Sequence, residues 1–307
     1  MTNKLSRRNF LHMVGAASAV SAVSAFSLTS ITGVRAQAVD MVGRVFQFAR
    51  GGVKIHTYVA PDASVGVTSH IIETDNALIV IDTQFLQTFA KEFKAYADSL
   101  GKPIDRVILS HAHPDHFLGA NQFAESPFVT TQAIAAGLAG YIEAGAVAQV
   151  AGFAGESEVP AEVRPAEGSI EVGDEVIDGV TFLFSIVTNA EAPETIVVRL
   201  PQAGVIVLQD LVYNNFHFFP GQDRANWIAE LETLRGTLEG YDTLLAGHGL
   251  PTTKGELDIA IQYLTFANDT IAETADAAVV IAALQAEYPS YEGLGLLPFW
   301  QQFLQPA

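Results

Sequence analysis

One short stretch limits this chain to few folds: Ser110-His111-Ala112-His113-Pro114-Asp115-His116. Three histidines and an aspartate fall within six residues, in a chain with eight histidines in all. A polar loop with chance histidines is a poor account of that density. The run just before it, Val107-Ile108-Leu109, is apolar and rich in β-branched residues, so it reads as a buried strand. The cluster therefore begins where a core strand ends and a loop begins. Pro114 biases His113 toward extended backbone, which is expected to keep the loop from winding into a helix. Imidazole and carboxylate crowded in this way are donors suited to zinc or iron.

Composition narrows the partners. The 307 residues suffice for one large domain or two small ones, and with 49% hydrophobic residues a sizeable core is expected. The formal net charge of -18 argues against nucleic acid or an anionic membrane surface, since both require a basic face. There is no cysteine, hence no disulfide, no thiolate ligand and no cysteine nucleophile.

The N-terminal stretch reads as an address. Ser6-Arg7-Arg8-Asn9-Phe10-Leu11 resembles a twin-arginine export signal, followed by an apolar stretch from Met13 to Phe26 and a small-residue cleavage site at Val34-Arg35-Ala36. The apolar stretch is short and broken by serines, whereas spanning a bilayer takes about 20 mostly apolar residues. Removal of residues 1–36 is expected, with no stable membrane anchoring afterwards. The expected partners are the twin-arginine translocation machinery and a small-molecule substrate, and the expected location is the periplasm. Removal leaves 12 basic against 34 acidic residues, a formal charge of -22.

The remainder, 37–307, is expected to form one α/β domain. Alternation predicts strands over 44–48, 53–59, 68–73 and 77–81, with turns at Gly51-Gly52 and Asp75-Asn76. Phe85, Phe89, Phe93, Tyr96 and Leu100 fall at helical spacing, and Gly101 closes that helix. A strand at 106–109 leads into the histidine loop, and Phe128-Val129 is another. The Ala- and Gly-rich run 132–150 predicts one helix, and the acidic segment 151–168 a surface insertion. Strands recur within 169–187 and at 195–200, 205–208 and 243–246. Helices are predicted over 224–238 and in a C-terminal segment from about 255 to 286.

Further donors stand at strand ends. Asp210 follows Val205-Ile206-Val207-Leu208, and His248 lies in Gly247-His248-Gly249, where glycines permit close backbone approach. No histidine occurs from Phe117 through Phe216, and the intervening loop reads Thr188-Asn189-Ala190-Glu191-Ala192-Pro193-Glu194-Thr195. Asp82 ends a strand and reads equally as a histidine orienter or a helix cap. Asn214 and His217, within Asn214-Asn215-Phe216-His217-Phe218-Phe219, read as a substrate wall or as an aromatic loop with one satisfied histidine. His70 reads as a core histidine.

The H-x-H-x-D-H run, with Asp210 and His248 after it, resembles the metallo-β-lactamase superfamily from about Val67 to His248. That resemblance implies a four-layer αββα sandwich with two metals between the sheets at one edge. It implies His111, His113 and one more donor on the first metal, then Asp115, His116 and His248 on the second, with Asp210 bridging. Glu-Ala-Pro at 191–193 resembles the alkylsulfatase branch, where a glutamate replaces the usual histidine 19 residues before the bridging acid; Glu191 precedes Asp210 by 19. Asp210 is aspartate where that branch carries glutamate, so the local match does not carry the substrate over. The implied activity is an exported binuclear zinc hydrolase in which Asp115 orients a metal-bridging hydroxide against an ester, lactone, amide or sulfate ester. Iron in place of zinc stays open. So does a non-hydrolytic metal-binding accessory protein of the same fold.

Overall fold

In the computed structural model, which describes residues 41–218, 223–274 and 276–297, the alternating segments pair as an antiparallel meander. β1 (Arg44–Arg50) and β2 (Val53–Val59) are joined by a tight turn, a loop with a 3-10 turn at Asp62–Ser64 leads to β3 (Thr68–Glu73), and a short turn leads to β4 (Leu78–Ile81). The chain then changes mode. Helix α1 (Gln87–Ser99) crosses over, and β5 (Ile104–Ile108) returns parallel to β4, as a crossover of this length requires. β6 (Phe128–Thr130) and the short edge strand β7 (Glu167–Gly168) extend the parallel half, completing seven strands in the order β1 to β7.

A second sheet of five strands repeats the pattern. β8 (Gly173–Ile177), β9 (Val180–Thr188), β10 (Glu194–Leu200) and β11 (Val205–Tyr213) are antiparallel. Helix α5 (Arg224–Arg235) then carries the chain to β12 (Thr243–His248), parallel to β11. Period-two alternation sorts the side chains of this sheet between two cores. Ile196, Val198, Leu200, Val205 and Val207 face the first sheet. Val197, Ile206, Leu208 and Leu244 pack under α5 and α6 (Glu256–Glu273), against Trp227, Leu231, Leu257 and Tyr263. Phe89, Phe93 and Tyr96 of α1 cover the other side. The layers run helix, sheet, sheet, helix, the expected four-layer αββα sandwich. Most of these side chains are almost fully buried, each contributing about 1.5–3 kcal/mol of transfer free energy.

Several local expectations change. Pro114 does not prevent a helix. It occupies the first position of a one-turn helix, α2 (Pro114–Phe117), where its missing N–H costs nothing, and His113 before it stays extended at φ -95°, ψ 146°. The single helix expected over 132–150 is two, α3 (Gln132–Glu143) and α4 (Ala146–Ala154), bent by 60°. Gly145, at φ +81°, makes the break in a conformation that other residues resist. The surface insertion thus begins inside α4. The C-terminal helical segment is likewise two helices, α6 and α7 (Ala277–Glu287), with Asp276 capping the second by accepting from Ala278 N at 2.9 Å. No single helix among the described residues is long and apolar enough to cross a membrane. The expected export signal lies outside the described residues.

Candidate metal centre

Four segments from both sheets converge at one edge. The loop after β5 carries Ser110 to His116, the β9–β10 turn carries Glu191, β11 carries Asp210, and β12 ends at His248. Two contacts fasten the sheets there. Ile196 N donates to Ser110 O at 2.8 Å, and Val67 bridges to His248.

The candidate donors fall into two groups that share Asp210. His111, His113, Glu191 and Asp210 bring one ligand atom each to within 4.8 Å of the others, as do Asp115, His116, Asp210 and His248. Glu191 lies 3.1 Å from His113 Nδ1 and 3.6 Å from His111 Nε2. Asp210 lies 3.1 Å from His116 Nε2 and 3.3 Å from His248 Nε2. Asp115 Oδ2 lies 3.3 Å from His248 Nε2 and 3.6 Å from His116 Nε2.

The centre fits a metal on its own chemistry. His111 Nε2, His116 Nε2, His248 Nε2, Glu191 Oε2 and Asp210 Oδ1 are buried with no hydrogen-bond partner. Orphaned buried polar atoms are costly, and five aimed at one place call for a shared partner. The other ring nitrogens are engaged. His248 Nδ1 donates to Val65 O at 2.8 Å, and His116 Nδ1 pairs with Asp82 Oδ2 at 2.8 Å. His111 Nδ1 faces Ser110 Oγ at 2.9 Å, and that hydroxyl itself donates to Asp82 Oδ2 at 2.6 Å. Acceptors on the outer nitrogens hold a proton there and would leave Nε2 as the atom each ring offers to a metal. Burial and the neighbouring His116 push the His111 imidazole down to about 3 and keep it neutral. The Asp210 and Asp115 carboxylates outweigh burial at His116 and His248 and raise both, the latter to about 9, so these two would shed a proton on binding a metal. Burial raises the Glu191 carboxyl, and His113 only partly offsets this.

Asp82 also comes within ligand reach of His111 and His116. Its oxygens are already taken by Ser110 N, Ser110 Oγ, His116 Nδ1 and Gln209 Nε2, so it holds the histidines rather than a metal. The helix-cap alternative fails, because Leu86 precedes α1 and no side chain caps it.

Asp210 reaches the centre through a bulge. Val207 pairs with Leu245 and Gln209 with Ala246, so β11 carries one extra residue there, and Gln209 sits at φ +46°. Strict alternation would send Asp210 to the helix-covered face with Ile206 and Leu208. The bulge returns it to the inner edge. Gln209 then links Asp82 to His70, whose Nε2 lies 2.8 Å from Gln209 Oε1. Gly247 completes the fit: a Cβ there would collide with the Asp210 carboxylate.

Asn214 and His217 do not join the donor cluster. The Asn214 amide donates to Leu250 O at 2.9 Å and its backbone N to His248 O at 3.0 Å, fixing the turn after β12. His217 is buried with Nδ1 3.2 Å from Tyr263 Oη, and burial pushes it down to about 4. Sequence reasoning missed Gln209, Tyr213 and Tyr141. Tyr213 donates to Asp210 Oδ2 at 2.7 Å and stacks on His248 with centroids 4.8 Å apart. Tyr141 meets the His113 ring edge-on at 5.8 Å, and burial, then Glu191 and Asp115, push its phenol up to about 12.

A family model described as the Metallo-beta-lactamase superfamily matches residues 64–248, a span holding every donor named above. The chain belongs to the metallo-beta-lactamase superfamily. Its fold is similar to a metallo-beta-lactamase from Pontibacter korlensis, with a TM-score of 0.56 and 20% identity, over 73% of this chain and 99% of that one. It is also similar to the metallo-beta-lactamase FIM-1 from Pseudomonas aeruginosa in a mono-zinc form, with a TM-score of 0.56 and 17% identity over 76% and 99% of the two chains. A curated relative, the alkyl/aryl-sulfatase BDS1 of Saccharomyces cerevisiae, is 26% identical over 229 residues, covering 60% of this chain. The match spans about a third of that relative, 34% of its length.

Proposed function

We propose that this chain is an exported metal-dependent hydrolase that holds two zinc ions and cleaves sulfate esters of small organic molecules. The observation that carries the reading is the set of five buried, orphaned donor atoms, which includes Glu191 in the place of a histidine. His111, His113 and Glu191 would hold the first ion, Asp115, His116 and His248 the second, and Asp210 both. Such ions supply Lewis-acid polarisation of an ester oxygen and bring the pKa of water toward neutrality. The chain's own residues do the rest. Asp82, Ser110 and the Val65 carbonyl fix the tautomers of three histidines. Asp115, at 17% the most exposed carboxylate of the cluster, would orient the attacking water. Asn214 and His217 would shape the substrate wall by fixing the 214–218 segment.

The sulfate-ester preference is supported by the sulfatase name of the curated relative. Carboxylic ester, lactone and amide are the competing substrates. Delivery to the periplasm by the twin-arginine route is proposed from residues 1–36.

The test is a zinc-loaded preparation assayed for metal content and then against 4-nitrophenyl sulfate, 4-nitrophenyl acetate, an aliphatic lactone and a chromogenic β-lactam. About two metals per chain and turnover of the sulfate are expected. Two metals with no turnover of any ester, lactone or lactam would favour the non-hydrolytic metal-binding alternative.

A further inference from the structure

Helix α3 lies directly on the metal loop. A Cβ added at Gly137 would stand 3.2 Å from the Cβ of Ala112, so the helix backbone approaches the loop about as closely as side chains permit. Tyr141 follows one turn later on the same face. That is why its ring meets His113, with centroids 5.8 Å apart at 90°. The start of α3 is held by Thr131, which accepts from Ile134 N at 3.2 Å and donates to Glu194 at the start of β10. Tyr141 is therefore placed by packing on both sheets and not by a free loop.

Its hydroxyl is uncommitted. Tyr213 donates to Asp210, and Tyr263 lies within reach of His217 and Phe218 O. Tyr141 is half-buried, and among the described residues no hydrogen bond engages its hydroxyl. The cluster beside it is built of acceptors and lone pairs. Its carboxylates are paired with histidines, and among the described residues no lysine or arginine pairs with them. With one substrate oxygen taken by the metals, a further anionic oxygen on the His113 side would meet a hydrogen-bond donor in Tyr141, since a phenol is a donor throughout the neutral range.

We propose that Tyr141 is a substrate-binding residue whose hydroxyl donates a hydrogen bond to an anionic oxygen of a tetrahedral oxyanion substrate. The inference rests on the metal-centre reading and goes beyond it, since it assigns the face on which that oxygen lies.

The experiment loads the full mature chain with cobalt and titrates inorganic phosphate, following the cobalt d–d spectrum. Tyr141→Phe should bind the usual two cobalt ions but bind phosphate about 10- to 100-fold more weakly, as expected for loss of a hydrogen bond to a charged group. For a turned-over ester the same variant should raise KM more than it lowers kcat. Tyr141→Ala should weaken phosphate binding at least as much. Equal phosphate affinity in wild type and Tyr141→Phe, with cobalt content unchanged, would overturn this inference and leave the metal centre standing. A wild-type chain that takes up no cobalt would overturn the metal centre, and this inference with it.

Discussion

Glu191→Gln keeps the shape of the side chain and removes its charge. The carboxylate is 5% exposed and faces His113 and His111 at 3.1 and 3.6 Å. Disturbing groups that only orient a ligand already costs about 10–100-fold in metal affinity. Loss of a donor should reach at least the upper end, about 100-fold, or about 2.8 kcal/mol at 1.4 kcal/mol per decade. Competition with a chromophoric chelator reads this directly, with one ion weakened and the other retained. Thermal melts with and without metal separate a donor from a structural residue. In the metal-free protein burial raises the Glu191 carboxyl, His113 only partly offsets this, and Asp210 and Asp115 add repulsion, so its charge is on balance disfavoured. Gln should therefore leave the metal-free melting temperature unchanged or higher, while the metal-loaded one falls. Two ions bound at wild-type affinity would refute the donor role. A lower metal-free melting temperature would mark Glu191 as structural. Glu191→His should be milder, and Glu194→Gln should leave metal binding intact, since Glu194 is engaged with Thr131 at the start of α3.

Gly247→Ala should abolish binding of at least one metal with far-UV circular dichroism unchanged, because the new Cβ displaces the Asp210 carboxylate; retention of both ions would contradict the close approach. Burial opposes the charge of Glu73, but hydrogen bonds from Lys102, Lys54 and His56 outweigh it and hold the carboxyl down to about 2, below the ordinary 4.5. A lowered carboxyl stabilises the fold above its unfolded value, so this contribution should fade as pH falls from about 4.5 to about 2. Urea midpoints of Glu73→Gln should lack that limb, and an unchanged acid profile would rule the cluster out as its source. Changing Arg7 and Arg8 together to Lys should strand the precursor in the cytoplasm, and normal periplasmic delivery would sink the twin-arginine reading.

The sandwich was legible because period-two and period-3.6 patterns are local, and because the H-x-H-x-D-H loop follows a strand so closely. The loop, Asp210 and His248 could be picked out for the same reason: each stands at or beside the end of an apolar run. What escaped was long-range or a matter of conformation. Gln209 meets Asp82 across 127 residues of chain, and nothing in either segment names the other. The break at Gly145 and the turn begun by Pro114 each depended on which of two uses a permissive residue was put to. Tyr141 stood in an Ala-rich helix whose docking against Ala112 only the fold reveals. That Asn214 and His217 are held in place by Leu250 and Tyr263 was likewise beyond the reach of composition.

The extra residue in β11 makes the centre depend on parity. An insertion or deletion of one residue between Val205 and Asp210 would leave an apolar strand that still pairs with β10 and β12, yet it would swap which side chains face the first sheet and which face α5 and α6. The aspartate would be buried among leucines and the leucines turned toward the histidines. A shift by one residue thus erases the site without touching any donor.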